Sequence, residues 1–292
     1  MTANSHSLAG QVAIITGAGK GLGRAWALHL ASLGARLVVN NRGSQNQPGG
    51  SSADAVVAEI RAAGGQAVAN YDSVEAPDTG PCLVEAALTH FGQLDIVLAN
   101  AGIDRSSSFR KQAMAEFEEV FAVNFFAVAR LLHAAWPQLY QRQFGRVLVA
   151  TSTAGLYGNH GQAAYASSKA ALLGLVKTLA IEGASRNVRV NAIAPYAATQ
   201  MTRGAFPAEQ AGQFSPAATA KLVGWLVSEP CELTGTTMIA GAGHARLART
   251  LESDTVSLNG DVSAAIRALV DMPCRFAPRS ASGEFEEFKR SL

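Results

Sequence analysis

The stretch Gln11-Val-Ala-Ile-Ile-Thr-Gly17-Ala-Gly-Lys-Gly-Leu-Gly23 decides the fold of this 292-residue chain. Its first part is a short apolar run that predicts a buried β-strand, and the segment that follows, Arg24-Ala-Trp-Ala-Leu-His-Leu-Ala-Ser-Leu33, predicts an α-helix. The glycines between them permit a tight turn, the approach of backbone to a pyrophosphate, and close packing of helix on strand. Because free N–H groups at a helix start attract phosphate, the stretch predicts a dinucleotide-binding unit.

Outward from this unit, short apolar runs alternate with longer helical patterns. The runs predict seven strands, at Val12–Thr16, Arg36–Asn40, Gln66–Asn70, Leu94–Ala99, Arg146–Ser152, Val188–Ala194 and Thr236–Ala240. The patterns between them predict helices that include Ser52–Ala63, Gly80–Phe91, Ala115–Gln141, Gln162–Ser185 and Pro216–Val227. This alternation predicts an α/β fold with a doubly wound, parallel, seven-stranded sheet of Rossmann type and helices on both faces.

The expected domain covers residues 8–245, and residues 246–292 form a C-terminal extension. The extension has sparse apolar residues, so it either wraps the domain, covers a partner subunit, roofs the substrate pocket or is a loosely packed tail. The polar segment 42–52 is expected to be a mobile loop, and the segment 196–214 follows the sixth strand, where a substrate lid would lie.

Tyr165 and Lys169 are four residues apart in a helical pattern, and Ser152 ends an apolar run upstream. Residues at i and i+4 project from one face of a helix, so the phenol and the ammonium converge. A nearby cation stabilises a phenolate, and we therefore expect a lowered pKa for Tyr165, suited to a general acid/base. With Ser152 bonded to the reacting oxygen, this set predicts the interconversion of an alcohol and a carbonyl.

The same motifs resemble those of the short-chain dehydrogenase/reductase family. Thr16-Gly-Ala-Gly-Lys-Gly-Leu-Gly23 matches the family's glycine loop, and Ala99-Asn-Ala-Gly102 matches its Asn-Asn-Ala-Gly motif except at the first position. Within the family, the chain resembles the (3R)-hydroxyacyl-CoA dehydrogenase domain of peroxisomal multifunctional enzyme type 2 and its bacterial single-domain relatives. The runs that carry this closer likeness include Gly155-Leu-Tyr-Gly-Asn-His-Gly-Gln162 and Ile193-Ala-Pro-Tyr-Ala-Ala-Thr-Gln-Met-Thr202.

The resemblance implies an oxidoreductase that transfers a hydride between a nicotinamide and a secondary alcohol or ketone. The implied catalytic residues are Asn124, Ser152, Tyr165 and Lys169, with Asn124 holding a water that links Lys169 to solvent. The expected cofactor-binding residues are Gly17, Lys20, Gly21, Leu22, Gly23, Asn41, Arg42, Asp72, Ser73, Asn100, Ala101, Gly102, Tyr165, Lys169, Pro195 and Thr199. The expected substrate-binding residues are Ser152, Tyr157, His160 and Tyr196, and the substrate is an acyl-CoA, a steroid, a cyclic ketone or an aromatic alcohol.

The sequence favours NADP(H) over NAD(H). Relatives that use NAD carry an acidic residue at the end of the second strand, whereas this chain has Asn40-Asn41-Arg42 there. The substitution removes a carboxylate that would repel a 2′-phosphate and offers a guanidinium, to which Lys20 adds a second cation. The alternative is that Arg42 points to solvent and Asn41 bonds the 2′-hydroxyl, which leaves NAD(H) competent.

Composition limits which partners, metal sites and cellular locations are expected for the chain. A net charge of +2 indicates no polyanionic partner, so we expect no nucleic acid, and no basic-apolar leader or membrane-length apolar run is expected either. Three scattered cysteines and six histidines without ligand spacing predict no metal site and a cytoplasmic protein. The apolar helix 162–185 predicts a homodimer or homotetramer. The alternatives are a non-catalytic dinucleotide sensor or scaffold and, with weaker support, a nucleotide-sugar dehydratase or epimerase.

Overall fold

The structure is a computed structural model that describes residues 6–43, 52–202, 207, 212–278 and 280–290. Most of the segment predicted as a mobile loop, residues 44–51, and part of the predicted lid lie outside the described residues. Contacts divide the chain into two compact units, with the division between Arg246 and Leu247.

The described residues form one sheet of eight strands, in the order β3-β2-β1-β4-β5-β6-β7-β8, and strands β1 to β7 lie within the first unit. The strands are β1 Val12–Ile15, β2 Arg36–Asn40, β3 Gln66–Asn70, β4 Ile96–Ala99, β5 Gly145–Ala150, β6 Val188–Pro195, β7 Thr237–Gly241 and β8 His244–Ala248. Every pairing from β3 to β7 is parallel. The chain leaves β1 toward β2 on one side and returns to β4 on the other, which confirms the doubly wound sheet and creates a cleft at the switch point.

Helices cover both faces of this sheet. Those that the structure describes in the first unit are α1 Gly21–Ser32, α2 Ser52–Ala62, α3 Thr79–Phe91, α4 Met114–Phe121, α5 Ala127–Arg142, α6 Thr153–Tyr157, α7 Ala163–Gly183 and α8 Ala220–Leu226. Two apolar clusters fill the spaces between layers, one beneath α1, α2 and α8 and the other beneath α3, α5 and α7. The layers therefore place the core on both sides of β1 and hold the carboxyl ends of the strands at one open edge.

The eighth strand was not among the seven predicted strands. β7 and β8 are joined by two residues, Ala242 and Gly243, which both have positive φ (50° and 75°). Such a two-residue turn reverses the chain, so β8 adds an antiparallel edge to the parallel sheet. The sequence gives little sign of it because β8, His-Ala-Arg-Leu-Ala, is mostly exposed and lacks an apolar alternation.

Within its described residues, the second unit contains two helices, α9 Val262–Asp271 and α10 Ala281–Arg290, where the sequence predicted only an extension. Asp261 caps α9 by accepting from the backbone N–H groups of Ser263 and Ala264, at 2.9 and 3.2 Å. These helices follow from a local cap and from apolar residues at helical spacing, both of which the low overall apolar content obscured.

One long helical segment departs from the expectation that no run reaches membrane length. Met114–Arg142 is long and apolar enough to cross a bilayer, by length and composition alone. Its residues Val128, Leu131, Leu132 and Leu139 belong to the apolar cluster under the sheet. That packing is what a core helix of an α/β domain requires.

Candidate active site

A cleft of about 1000 Å³ opens at the carboxyl ends of the parallel strands. Seventeen of the residues predicted for cofactor or substrate line it: Gly17, Lys20, Gly21, Leu22, Asn41, Arg42, Ser73, Asn100, Ala101, Gly102, Ser152, Tyr157, Tyr165, Lys169, Pro195, Tyr196 and Thr199. Four others do not, namely Gly23, Asp72, Asn124 and His160. The fold thus brings most of the predicted set to a single opening.

The glycine loop between β1 and α1 has the shape that a bound pyrophosphate needs. Gly17 has φ +63°, and a Cβ there would lie 2.9 Å from the Cα of Ala101. A Cβ at Gly23 would overlap the carbonyl oxygen of Gly17, so Gly23 acts by packing the helix against the loop and not by lining the cleft. No side chain caps the start of α1 at Lys20, and the first N–H groups of that helix are left for an anion.

Asn100 fixes this loop to the end of β4. Its side-chain amide donates to the carbonyl oxygens of Thr16 and Gly17, at 3.0 and 3.2 Å. The Thr16 hydroxyl in turn accepts from the backbone N–H groups of Asn100 and Ala101. These bonds hold the two strand ends together on opposite sides of the switch point.

Ser152, Tyr165 and Lys169 meet beyond the end of β5. Ser152 is the N-cap of α6, where its Oγ accepts from the N–H of Ala154 at 3.1 Å, and its side chain is also hydrogen-bonded to that of Tyr165. The Nζ of Lys169 donates to the carbonyl oxygen of Ala150 at 2.8 Å and lies 5.8 Å from the centre of the Tyr165 ring. One hydroxyl, one phenol and one amine therefore face the same part of the cleft.

Burial governs the electrostatics of these groups. Loss of hydration raises the pKa of Tyr165; the hydrogen bond from Ser152 acts in the opposite direction, and the Asp104 carboxylate adds to the rise. Burial lowers the pKa of Lys169 to about 8. The sequence-based expectation of a lowered pKa for Tyr165 is therefore wrong in direction for this structure, because the cost of burying the phenolate exceeds the stabilisation by its neighbours.

Asn124 lies outside the cleft, in a single π-helical turn, Ala122–Phe126, that joins α4 to α5. Its Oδ1 accepts from the N–H of Ile103 at 2.8 Å, while its Nδ2 donates to the Ile103 carbonyl at 2.9 Å and to the Ser168 hydroxyl at 3.1 Å. Wider turns of this kind are frequent at functional sites. Here the turn lets the Asn124 amide form hydrogen bonds both to the segment after β4 and to the helix that carries Lys169.

A polar wall of the cleft was missed by the sequence analysis. Asp104 and Gln162 both line the opening, and the Nε2 of Gln162 donates to Oδ2 of Asp104. That oxygen also accepts from the Ser106 hydroxyl at 2.8 Å, whereas Oδ1 of Asp104 is buried without a hydrogen-bond partner in the structure. A sequence signal existed for both residues, because Asp104 follows the Asn-Ala-Gly motif and Gln162 comes three residues before Tyr165, at the start of the helix that carries it.

Two residues that were predicted to contact the cofactor or the substrate lie outside the lining of the cleft. Asp72 is exposed and its Oδ2 accepts from the Asn70 side chain at 2.8 Å, while the next residue, Ser73, lines the cleft. His160 is exposed and outside the lining. Tyr157 lines the opening but is 72% exposed, which places it at the mouth.

The far end of the cleft carries the residues predicted to select the cofactor. The Nδ2 of Asn41 donates to the Ser52 hydroxyl at 2.7 Å, which holds the end of β2 against the start of α2. Arg42 has an acidic neighbour that the sequence analysis did not predict, since its Nη1 lies 3.8 Å from Oε1 of Glu75. Lys20 is exposed and also lines the cleft.

Comparison with known proteins identifies the family to which this cleft belongs. The family model described as short chain dehydrogenase matches residues 11–210. A short-chain type dehydrogenase/reductase of Mycobacterium tuberculosis is 44% identical over 236 residues, which are 80% of this chain and 82% of that protein. The chain belongs to the short-chain dehydrogenase family.

Other short-chain dehydrogenases and larger enzymes are also similar. Peroxisomal multifunctional enzyme type 2 of Mus musculus is 44% identical over 237 residues, or 80% of this chain, and the match spans 32% of the mouse enzyme. The crystal structure of a short chain dehydrogenase from Mycobacterium avium superposes with a TM-score of 0.81 at 35% identity, covering 92% of this chain and 97% of that one. The predicted resemblance to the dehydrogenase domain of the multifunctional enzymes is thereby confirmed.

Membership of the short-chain dehydrogenase family fixes the class of reaction. The protein is an oxidoreductase that acts on CH–OH groups with a nicotinamide cofactor. The glycine loop and the uncapped start of α1 fit such a cofactor, because together they leave a space that any added Cβ would fill. The alternative of a non-catalytic sensor is not favoured. In the part of the chain that the structure describes, no group of three or more His, Cys, Asp and Glu residues could hold a metal ion.

Proposed function

We propose that this short-chain dehydrogenase interconverts a secondary alcohol and a ketone, with NADP(H) as its preferred cofactor. The observation that carries the proposal is the convergence of Ser152, Tyr165 and Lys169 in the cleft that also holds the glycine loop. When bound, the nicotinamide supplies the hydride acceptor or donor. The residues of the chain supply the proton, the orientation of the substrate and the binding of the cofactor.

Tyr165 is the proposed general acid/base at the substrate oxygen. Its hydroxyl is hydrogen-bonded to Ser152, so a substrate oxygen that replaces part of this contact meets two hydroxyl groups at once. Ser152 is held in place by its role as the cap of α6, which supports a part in orienting that oxygen. Tyr196 and Tyr157 line the same opening and are proposed to contact the rest of the substrate.

Lys169 has two proposed tasks. Its buried amine binds the Ala150 carbonyl and lines the cleft, which supports the proposal that it holds ribose hydroxyls of the cofactor. Its positive charge favours the phenolate of Tyr165, and its lowered pKa of about 8 means that this support changes within the range of working pH. Asn124 is proposed to support Tyr165 and Lys169 from outside the cleft, through its hydrogen bonds with Ile103 and Ser168.

The preference for NADP(H) is proposed from the charges at the far end of the cleft. The end of β2 carries Asn41 where a carboxylate would repel a 2′-phosphate, and the cations Lys20 and Arg42 line the same rim. A charge-assisted hydrogen bond to phosphate contributes about 1.5–3 kcal/mol, which corresponds to a preference of at least about tenfold. NAD(H) is the alternative cofactor, with Asn41 as the partner of the ribose hydroxyl.

The proposed substrates are 3-hydroxyacyl or 3-oxoacyl thioesters. The support comes from the likeness of the chain to the multifunctional enzymes and from a 3-oxoacyl-[acyl-carrier-protein] reductase of Synechocystis that is 38% identical over 231 residues. The cleft of about 1000 Å³ has room for a substrate beside the cofactor, and a steroid-like ketone is the second candidate for the same volume.

The proposal is tested by following the absorbance of NADPH with acetoacetyl-CoA and, in parallel, with a steroid ketone. We expect turnover of acetoacetyl-CoA by the wild-type protein and its loss in Ser152→Ala, with cofactor affinity unchanged. Because Ser167 is exposed on α7 outside the cleft, Ser167→Ala is the matched control and should retain full activity. Turnover of the steroid alone would replace the thioester by the second candidate, and no turnover of either would refute the proposed substrates.

The assembly and the location are proposals of the same kind. We propose a homodimer or homotetramer, because α7 buries one face in the core and leaves Ile181 56% exposed. A monomeric mass by light scattering at micromolar concentration would contradict this. We also propose a cytoplasmic location, which microscopy of a tagged full-length chain would check.

A further inference from the structure

The cofactor end of the cleft contains an acidic residue that the charge pattern of the sequence did not reveal. Glu75 lies in the segment after β3, where its Oε1 accepts from the Ser73 hydroxyl at 3.0 Å and its carbonyl oxygen accepts from Arg130 at 3.1 Å. Glu75 lines the cleft together with Ser73. Ser73 therefore orients the carboxylate at the rim, and Arg130 holds the backbone that carries it.

This carboxylate faces the guanidinium of Arg42. The two charged atoms are 3.8 Å apart, and the side chains are 69% exposed for Arg42 and 38% exposed for Glu75. A phosphate group that binds Arg42 has to displace or share this partner. The same carboxylate also repels a phosphate dianion brought to within a few ångströms of it.

From this arrangement we infer that Glu75 is a specificity-determining residue. It competes with the 2′-phosphate of NADP(H) for Arg42 and so reduces the preference for NADP(H) over NAD(H). The inference rests on the proposed function, in which Arg42 binds that phosphate. In relatives that use NAD, a carboxylate at the end of β2 disfavours the 2′-phosphate, and this chain lacks that carboxylate. The inference assigns the same effect to Glu75, which acts from the segment after β3 and by competing for a cation.

The expected size of the effect follows from the exposure of the pair. An exposed ion pair contributes little to folding, so replacing Glu75 leaves the protein folded. Release of Arg42 together with the loss of repulsion should strengthen NADP⁺ binding about three- to tenfold. NAD⁺ lacks the phosphate, and its affinity should change by less than about twofold.

The test is isothermal titration of NADP⁺ and NAD⁺ into four proteins: wild type, Glu75→Gln, Arg42→Ala and the double variant. The Gln side chain keeps the shape of Glu75 and an oxygen to accept from Ser73. The matched control is Glu59→Gln, which removes a carboxylate from another exposed ion pair, with Arg24, outside the cleft. Titrations in low and moderate salt give a second readout, because screening should reduce the gain in Glu75→Gln.

We expect tighter binding of NADP⁺ in Glu75→Gln, and this gain should disappear when Arg42 is already Ala, because the two residues act on one another. Unchanged NADP⁺ affinity in Glu75→Gln, with a clear loss in Arg42→Ala, would overturn the inference and leave the proposed clamp intact. Unchanged NADP⁺ affinity in Arg42→Ala would instead refute the clamp itself. Weaker NAD⁺ binding in Glu75→Gln would show that Glu75 accepts from the ribose hydroxyl, which also overturns the inference.

Discussion

Relative to the wild type, Lys169→Met should be more stable at neutral pH than at high pH, while it removes a residue of the proposed active site. Burial lowers the pKa of Lys169 from 10.5 to about 8. At 1.36 kcal/mol for each unit of pKa, holding this amine charged in the folded protein costs about 3 kcal/mol. Met has nearly the same length and no charge, so the variant avoids that cost.

The pH dependence separates this effect from other consequences of the substitution. Between pH 8 and pH 10.5 the folded protein has released the proton of Lys169 and the unfolded chain still holds it. Because the unfolded state binds more protons in this window, the stability of the wild type rises with pH there. From pH 7 to pH 9.5 the advantage of Lys169→Met over the wild type should shrink by about 2 kcal/mol.

Urea unfolding of both proteins at these two pH values measures the change, and contributions that do not depend on pH, such as the lost bond to Ala150, cancel. Lys177→Met serves as the control, since Lys177 is exposed on the same helix and its variant has no burial cost to avoid. Parallel stability curves for the wild type and Lys169→Met would refute the reasoning.

Two further changes test the polar wall of the cleft and the glycine loop beside it. Asp104→Asn removes a charge that raises the pKa of Tyr165, so the rise of kcat/KM with pH in alcohol oxidation should move to lower pH; an unmoved profile would argue against electrostatic contact between the two. In Gly23→Ala the new Cβ overlaps the Gly17 carbonyl, and we expect cofactor affinity by calorimetry to fall at least about tenfold. Gly174→Ala, where the added Cβ has open space, should bind normally and gain up to about 1 kcal/mol of stability, and a similar loss in both variants would contradict the role of the loop.

Local patterns were sufficient to predict most of the fold. The bounds of β2 and β3 agree with the prediction to the residue. For β2 the reason is that a buried parallel strand is a continuous apolar segment. The elements that were missed depend on other signals. β8 pairs along an exposed edge after a turn that contains Ala242 in a left-handed conformation, and α6 is a short helix set by the cap at Ser152.

The site was predictable where residues share one element or one motif, as with Tyr165 and Lys169. It was not predictable where distant segments meet. Glu75 reaches Arg42 only because β2 and β3 are neighbours in register, with Asn40 opposite Asn70. The predicted direction of the Tyr165 pKa shift was wrong for a related reason. Burial is a property of the folded chain, and here it outweighs the charge pattern along the helix.

The most direct test of the account is the turnover of Tyr165→Phe beside its cofactor affinity. The variant lacks only the hydroxyl that is bonded to Ser152, so the packing of the ring is kept. The account predicts a fall in kcat of about 10²–10⁴, the usual contribution of a general acid/base, with NADP⁺ affinity within a few-fold of the wild type. A near-normal kcat in Tyr165→Phe would contradict the assignment of the proton to this residue.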